Sequence, residues 1–507
     1  MGLTNNFISN LNNPKTPILF FLVAFIFINL IFFPKIYTSN DEYGYLKNSF
    51  LLQQGNLIIK NPEYACEAKP TDQGFAIGRF IGKSIFLIPF TWFGLGGIML
   101  SGLIVHLLNF FLIYLILRKL NYKVLYSLLY LFVPVLVYES RTLYTELLVL
   151  SCVLLAFYFY IPEINKKHWL MSGLFFGLAT FVRYDAGFFF MAFFIAALFK
   201  NKSKLVYLTL GFVPLIGLIL FFNNFLFGNF LSTGYGNNTV LSLLLSILTS
   251  FKIETFLISF LVLLLVYPLM LISPYFNKKF DFKLEFFLFS IFYLLLNSAF
   301  TDFLVFDLNL ASLFSYRLRY LAPLIGILII PYAPFCDELI TKVSNTLKFN
   351  KNTALLLIFL VLCFGAAVLS FVHYTFLNDR YAVSNQILNN IPEKTLTIGS
   401  SDDCIYFMRE LFGDRKYLNV SLHQSFMAKY EDTDIYKFIE KQLSQGGGVF
   451  VLDLYYFNVA DSNSLRKTQV IDKERDKIKK FIGSNKQDLD LIFETDNPHH
   501  LKIYKFK

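Results

Sequence analysis

Between residues 17 and 374 the chain returns repeatedly to apolar runs bounded by a few polar residues, and this recurrence limits its fold more than any single motif. The runs lie near residues 17–36, 97–117, 124–138, 144–161, 169–182, 186–199, 205–222, 255–276, 284–300, 318–335 and 353–374. A helix of ~20 such residues crosses the roughly 30 Å of bilayer hydrocarbon, so about eleven transmembrane helices are expected. The two runs flanking "VRYDAG" (182–187) are short of a full crossing and are expected as one hairpin of tilted helices. With 56% hydrophobic and only 16% charged residues, the chain cannot be a single soluble domain. The first run has no small-residue cleavage site and is followed by many others, so it is expected to stay as a signal anchor.

The formal net charge of +10 would suit nucleic acid if it lay on one solvated face. Instead Lys and Arg sit in short clusters between apolar runs: "RKLNYK" (118–123), "NKKHW" (165–169), "KNKSK" (200–204), "NKKFDFK" (277–283) and the stretch with Lys342, Lys348 and Lys351. Under the span order above, every cluster falls on one side, which the positive-inside rule makes cytoplasmic. The N-terminus is then cytoplasmic in a multi-pass plasma-membrane protein. The exocytoplasmic side receives "SNDEYGY", "YESRTLYTE" (138–146), "VRYDAG", "FGNFLSTGYGNN" (227–238), "SLFSYRLRYLAP" (312–323) and the tail.

From about residue 376 Asp, Glu, Lys and Gly replace the Phe and Leu runs, which divides the chain into a membrane domain (1–375) and a small soluble α/β domain (376–507). "KTLTIGS" and "GGVFVLDLYYF" have strand character, "IDKERDKIKKFI" (471–482) that of an amphipathic helix, and "DLIFETD" with "HLKIYKF" that of a closing hairpin. The "GGG" at 446–448 precedes a strand and opens no helix with Lys and Ser/Thr, so a turn is favoured over a phosphate loop. Cys66 and Cys404 fall on the exocytoplasmic side, where a disulfide between them is open, and no histidine has a partner at zinc-ligand spacing.

The first span is followed by adjacent carboxylates, Asp41 and Glu42, in a loop running over residues 37–75, too long for a mere connector. After it comes "GFAIGRFIGKSIFLIPF", an apolar juxtamembrane stretch carrying Arg79 and Lys83. Acid followed by base at the membrane surface suits an anionic, lipid-linked substrate. The other outward constellations have two readings each. Glu139, Arg141 and Glu146 serve either as a local ion pair capping a span or as substrate contacts, and Arg183 and Asp185 either neutralise each other or bind. Arg317 and Arg319 beside Tyr316 and Tyr320 fit an aromatic belt with snorkelling arginines, and Tyr235 between glycines fits a turn.

Taken in order, "SNDEYGYL", "FAIGRFIGKSIFLIPF", "ESRTLYTELL", "GLATFVRYDAG", "NNFLFGNFLSTGYG" and "YRLRYLAPLIGIL" resemble the motifs of GT-C superfamily glycosyltransferases related to protein O-mannosyltransferases and aminoarabinose-lipid A transferases. The resemblance covers roughly residues 15–335. It departs in the juxtamembrane piece, which lacks a Lys-Tyr-Pro-Pro run, and at Asp185, where many relatives carry a small residue or proline. It implies an inverting transfer of a sugar from a polyprenyl-phosphate donor to an acceptor hydroxyl or amine of a glycan, lipid or protein. Asp41 is then the general base and Glu42 an orienting residue. It also turns Arg79, Lys83, Arg183, Arg317 and Arg319 into candidate phosphate contacts, and Glu139, Arg141, Glu146, Asp185 and Tyr235 into candidate substrate contacts. A lipid phosphate leaves well, so one base suffices without the second carboxyl of a glycosidase. The first loop has no Asp-x-Asp, so metal independence is favoured over a divalent cofactor. The competing class is a transporter or flippase for a lipid-linked or anionic substrate, but the charges lie at span ends and no internal repeat is evident.

The topology is open to direct measurement. Single cysteines at Ser39 and Ser462 are expected to react with an impermeant thiol reagent in intact cells, and one at Ser203 is not; the reverse pattern would invert the molecule.

Overall fold

The computed structural model describes residues 15–37, 39–60, 68–161, 165–232, 251–266, 269–276, 280–300, 318–348, 350–399, 416–419, 435–455, 476, 478–496 and 500–507. Cys66, Cys404, Tyr235 and Arg317, together with half of 471–482, lie outside them; the described half, residues 476 and 478–482, is helical as expected.

Helix α1 (Lys15–Ile31) is followed by Phe32-Phe33-Pro34, and the chain leaves the helix before Pro34, which has no N–H to donate. A second helix, α2 (Asn40–Gln53), then starts with Asp41 and Glu42 in its first turn. The carboxylates therefore do not end the first span, as expected, but open a separate helix, where the N-terminal dipole favours negative charge. The rest of the long loop forms a small antiparallel sheet in the order β1-β3-β2 (β1 Ile58–Ile59, β2 Ala68–Thr71, β3 Gly74–Ile77). The short helix α3 (Ile81–Thr91) leads into α4 (Gly94–Lys119).

The apolar run at 124–138 is not one helix. It divides into a 3-10 turn (Val124–Ser127), α5 (Leu128–Phe132) and α6 (Pro134–Glu139), broken where Pro134 again removes a donor. Then follow α7 (Glu146–Tyr160), α8 (Lys166–Val182), a 3-10 turn (Tyr184–Ala186), α9 (Gly187–Lys200) and α10 (Lys202–Phe227). The remaining helices of this part are α11 (Ile253–Val266), α12 (Ser273–Phe276), α13 (Lys283–Phe300), α14 (Ala322–Thr346), entered through a 3-10 turn at Arg319–Leu321, and α15 (Lys351–Asn390). Among the described residues each apolar run of the sequence falls largely on helix. Four stretches, Gly94–Lys119, Lys202–Phe227, Arg319–Thr346 and Lys351–Asn390, are long and apolar enough by themselves to cross a membrane.

Small residues let the helices approach. A Cβ on Gly173 of α8 would run into the Leu208 carbonyl of α10, and one on Gly211 into the Leu170 carbonyl, so the two backbones touch. Buried Asn109 bridges α4 and α7 by accepting from the Ser151 hydroxyl at 2.6 Å and donating to the Leu147 carbonyl at 2.9 Å. At one end of the bundle Asp337 collects Lys123 (3.0 Å), Tyr126 (2.8 Å) and Lys351 (2.7 Å), so two of the basic segments do share one end.

At ~1.5 Å per residue α15 is about 60 Å long, twice the hydrocarbon thickness. It carries the last apolar run without interruption through residue 376 and delivers the chain to the C-terminal sheet. That sheet, with α16 (Ile435–Ser444), has the order β5-β4-β6-β8-β7: β4 (Leu396–Gly399), β5 (Lys416–Asn419) and β6 (Val449–Tyr455) are parallel, β8 (His500–Phe506) and β7 (Leu489–Thr495) antiparallel. Phe450, Leu452, Leu501 and Ile503 on one sheet face share a buried cluster with Tyr43, Leu46 and Phe50 of α2 and with Val383 and Ile387 of α15. The sheet thus packs directly against the helix that begins with Asp41.

The glycine contacts set a stability test. Gly173→Ala and Gly211→Ala are expected to destabilise the purified protein by about 1–3 kcal/mol each, as overpacking does, in detergent unfolding. Gly217→Ala, where a Cβ meets nothing within 4 Å, is expected to leave stability unchanged or slightly raised.

Candidate active site

Asp41 and Glu42 are neighbours on α2 and point to different tasks. Glu42 turns inward: it is fully buried, its Oε1 accepts from the Leu143 backbone N–H at 2.7 Å, and the Ser39 hydroxyl donates to Oε2 at 3.4 Å. It therefore holds the 138–146 segment to the start of α2. Asp41 turns outward, its side chain 28% exposed, onto the wall of a cavity of about 280 Å³.

Four other segments converge on Asp41. Arg79, just beyond β3, crosses the face of α2 at Gly44, where a Cβ would meet its side chain, and places Nη2 3.1 Å from Asp41 Oδ1. From the entry to α14, Arg319 donates through Nη2 to Asp41 Oδ2 at 3.0 Å and lies with Nε 3.9 Å from Glu146 Oε1. Glu146, first residue of α7, accepts from Arg183 Nη1 at 2.5 Å, and Arg183 Nε donates to both oxygens of Asp185 at 2.7 and 2.8 Å. Six charges thus alternate in one line: Arg79, Asp41, Arg319, Glu146, Arg183, Asp185. Burial raises the Asp41 carboxyl, but Arg79 and Arg319 outweigh it and hold the group below the usual carboxylate value. Asp41 is therefore ionised at neutral pH.

The rest of the cavity is aromatic. The Tyr320 ring lies 4.8 Å from the Arg183 guanidinium and 4.7 Å from that of Arg319, and Tyr144 lies 4.2 Å from Arg319. Tyr45, Phe80, Tyr184, Tyr293, Leu296 and Asn297 complete the lining. The sequence singled out none of these as site residues. Tyr144 stood inside a motif already marked, whereas Tyr293 and Asn297 sit in an apolar run without any local signal.

Among the expected site residues, Asp41, Glu146, Arg183, Asp185 and Arg319 line the cavity, and Arg79 lies behind Asp41 in an adjoining crevice. Lys83 is buried, its Nζ 5.3 Å from the Phe86 ring, and burial lowers it to about 8 although Glu146, Glu42 and Glu139 oppose the shift. Glu139 is buried and its Oε2 accepts from Thr142 at 3.4 Å. Arg141 does not meet Glu146. It donates to the Phe32 carbonyl at the end of α1 and, at 3.3 Å, to His373 Nδ1 of α15, so it ties the first and last helices together. Tyr235 and Arg317 lie outside the described residues. Among the described residues no group of three His, Cys, Asp or Glu side chains could hold a metal ion.

The charge line predicts a coupling. Glu146→Ala leaves Arg183 and Arg319 short of a buried counter-charge and is expected to cost about 3–5 kcal/mol, as breaking one partner of a buried pair does. Glu146→Ala combined with Arg183→Ala is expected to cost clearly less than the sum of the single changes in thermal or denaturant unfolding.

Residues 90–226 match the family model described as dolichyl-phosphate-mannose-protein mannosyltransferase. No curated protein matches the chain. Among solved structures, the crystal structure of ArnT from Cupriavidus metallidurans in the apo state is similar over 97% of this chain and 98% of that one, at 10% identity and a TM-score of 0.57. The same protein bound to undecaprenyl phosphate gives 97%, 98%, 10% and 0.56. At that identity the likeness concerns the fold, and it runs the length of both chains, C-terminal sheet included. The mannosyltransferase model thus matches the α4–α10 region, and nearly the whole chain follows the fold of ArnT.

Proposed function

We propose that the protein transfers a sugar from a polyprenyl-phosphate donor to an acceptor hydroxyl or amine at the exocytoplasmic face of the membrane, with inversion and with Asp41 as general base. The observation that carries this reading is the position of Asp41: an ionised carboxylate on a cavity wall, flanked by two arginines suited to phosphate. The undecaprenyl phosphate complex of the structurally similar ArnT supports a polyprenyl-phosphate donor.

In this reading the acceptor oxygen attacks the anomeric carbon from the face opposite the phosphate. The bond from that carbon to the phosphate oxygen breaks with its electron pair staying on oxygen, and the acceptor proton passes to Asp41. Arg319 and Arg79 stabilise charge gathering on the phosphate. Arg183 is held by Glu146 and Asp185 and stays a positioning residue with Tyr320 against it. Glu42 is assigned to positioning as well, because its carboxylate is occupied by the Leu143 N–H. The basic segments between the apolar runs, two of which meet at Asp337, support an exocytoplasmic cavity under the positive-inside rule. The C-terminal sheet, packed on α2, serves as a buttress for the helix carrying the base.

Asp41→Asn keeps the size and hydrogen bonding of the side chain and is expected to lower transfer by about 10²–10⁴, the contribution of a general base, in membrane vesicles given labelled polyprenyl-phosphate sugars. Glu42→Gln is expected to lose less. Arg79→Ala and Arg319→Ala are expected to weaken donor binding and slow transfer together. An Asp41→Asn protein that folds and turns over at the parental rate would remove Asp41 from the chemistry, and an α-linked product from an α-linked donor would remove inversion.

A further inference from the structure

Both oxygens of the proposed base are occupied by arginines. Asp41 Oδ1 faces Arg79 at 3.1 Å and Oδ2 faces Arg319 at 3.0 Å, which is a poor resting state for a group meant to accept a proton. Arg183 cannot relieve it, because Glu146 and Asp185 hold it at 2.5 and 2.7 Å. Arg319 is differently placed: apart from Asp41, its nearest carboxylate is Glu146 at 3.9 Å, beyond hydrogen-bond reach, and its guanidinium faces the cavity.

We infer that Arg79 and Arg319 are shared counter-ions, which pass from the Asp41 carboxylate to the donor phosphate during transfer, so that the base is released only when the phosphate is in place. The inference rests on the lipid-phosphate reading above and adds the coupling between its two halves.

The charges balance through the step. Before transfer, the two arginines face an ionised Asp41 and a singly charged phosphodiester. After transfer, the acceptor proton has neutralised Asp41, and the carbon–oxygen bond pair has stayed on the phosphate, which becomes a monoester carrying up to about two charges. Total negative charge near the arginines is the same at both ends, and only its location changes. As the phosphate gains charge it draws the guanidiniums more strongly, and as they leave Asp41 its proton affinity rises. Proton transfer and departure of the phosphate therefore assist each other, and a water molecule entering a donor-free cavity meets a carboxylate already neutralised by two cations. Once the lipid phosphate dissociates, the arginines return to the carboxylate and expel the proton, which resets the site.

Shared counter-ions make a carboxylate and a phosphate competitors. Binding of undecaprenyl phosphate to the full-length protein in nanodiscs, with undecaprenol as the phosphate-free control, measures the competition. Asp41→Asn is expected to tighten undecaprenyl phosphate by about ten-fold, within the ~5–150-fold range of coupling between linked sites, and to leave undecaprenol unchanged. Asp41→Ala is expected to move the affinity in the same sense, so the result does not hang on one side chain being tolerated. In an Arg319→Ala background most of the tightening is expected to vanish, which simple long-range repulsion between carboxylate and phosphate would not produce. If Arg79→Ala and Arg319→Ala weaken phosphate binding but the Asp41 changes leave it equal or weaker, the sharing is wrong and the donor reading stands. A tightening that persists in full without Arg319 also overturns the sharing. If neither arginine affects binding, the donor reading itself falls.

Discussion

The cavity end of this protein is arranged around an alternating line of six charges drawn from five separate stretches of chain. Arg79, Asp41, Arg319, Glu146, Arg183 and Asp185 come from the β3–α3 junction, the start of α2, the entry of α14, the start of α7 and the α8–α9 turn. Taking such groups out of water is unfavourable, and pairing them seldom does more than offset that cost. The line is therefore not what holds the fold together. It has to be held by the fold, and each member needs a neighbour of opposite sign at a fixed distance for any of them to stay charged.

The holding is done largely by contacts away from the cavity. Glu42 receives the Leu143 N–H and so fixes the segment that ends in Glu146 to the helix that begins with Asp41. Arg141, in the non-helical segment before Glu146, reaches the end of α1 and His373 of α15. The C-terminal sheet closes over the outer side of α2 with Phe450, Leu452, Leu501 and Ile503. Two of these supports act on the same short helix and the third fixes the segment that leads to Glu146, and none of them lines the cavity. Their combined effect is that Asp41 stands on a rigid element, although the sequence around it is polar and belongs to a long connection between apolar runs.

The helical bundle was legible because lipid demands long apolar segments and leaves a strong mark in sequence; among the described residues each such run falls largely on helix. Its breaks were less legible: Pro134 divides one run, and Pro34 ends α1 early enough for Asp41 to start a helix of its own. The three-stranded sheet of the first loop and strand β5 were missed because their strands are two to four residues long and depend on partners distant in sequence. In the site, charged residues stood out because charge at a span end is rare enough to notice. Their pairing did not. The spacing of Arg141 and Glu146 suited a pair along one helix, but the helix begins only at Glu146, and spacing alone cannot rank a local contact against one made across the bundle with Arg183. The aromatic lining was hidden for the opposite reason, since Tyr293 is one aromatic among many in a chain with 30 Tyr and 62 Phe.

That lining bears on how the arginines behave. Tyr320 presents its ring to Arg183 and Arg319 at nearly equal distance, 4.8 and 4.7 Å, and its hydroxyl accepts from Arg319 at 2.7 Å. A ring face attracts a cation without neutralising it, so a guanidinium resting there keeps its charge available for a third party. An aromatic floor lies between the two arginines on the cavity wall, with one committed to Glu146 and Asp185 and the other to Asp41. The same ring keeps the two like charges separated and screened by polarisable matter where water is scarce. In the proposed reading, a site that accepts a phosphate and later releases it needs cations that are positioned but not saturated. Placing a tyrosine between two arginines at the mouth of a transmembrane helix meets that requirement with a single side chain.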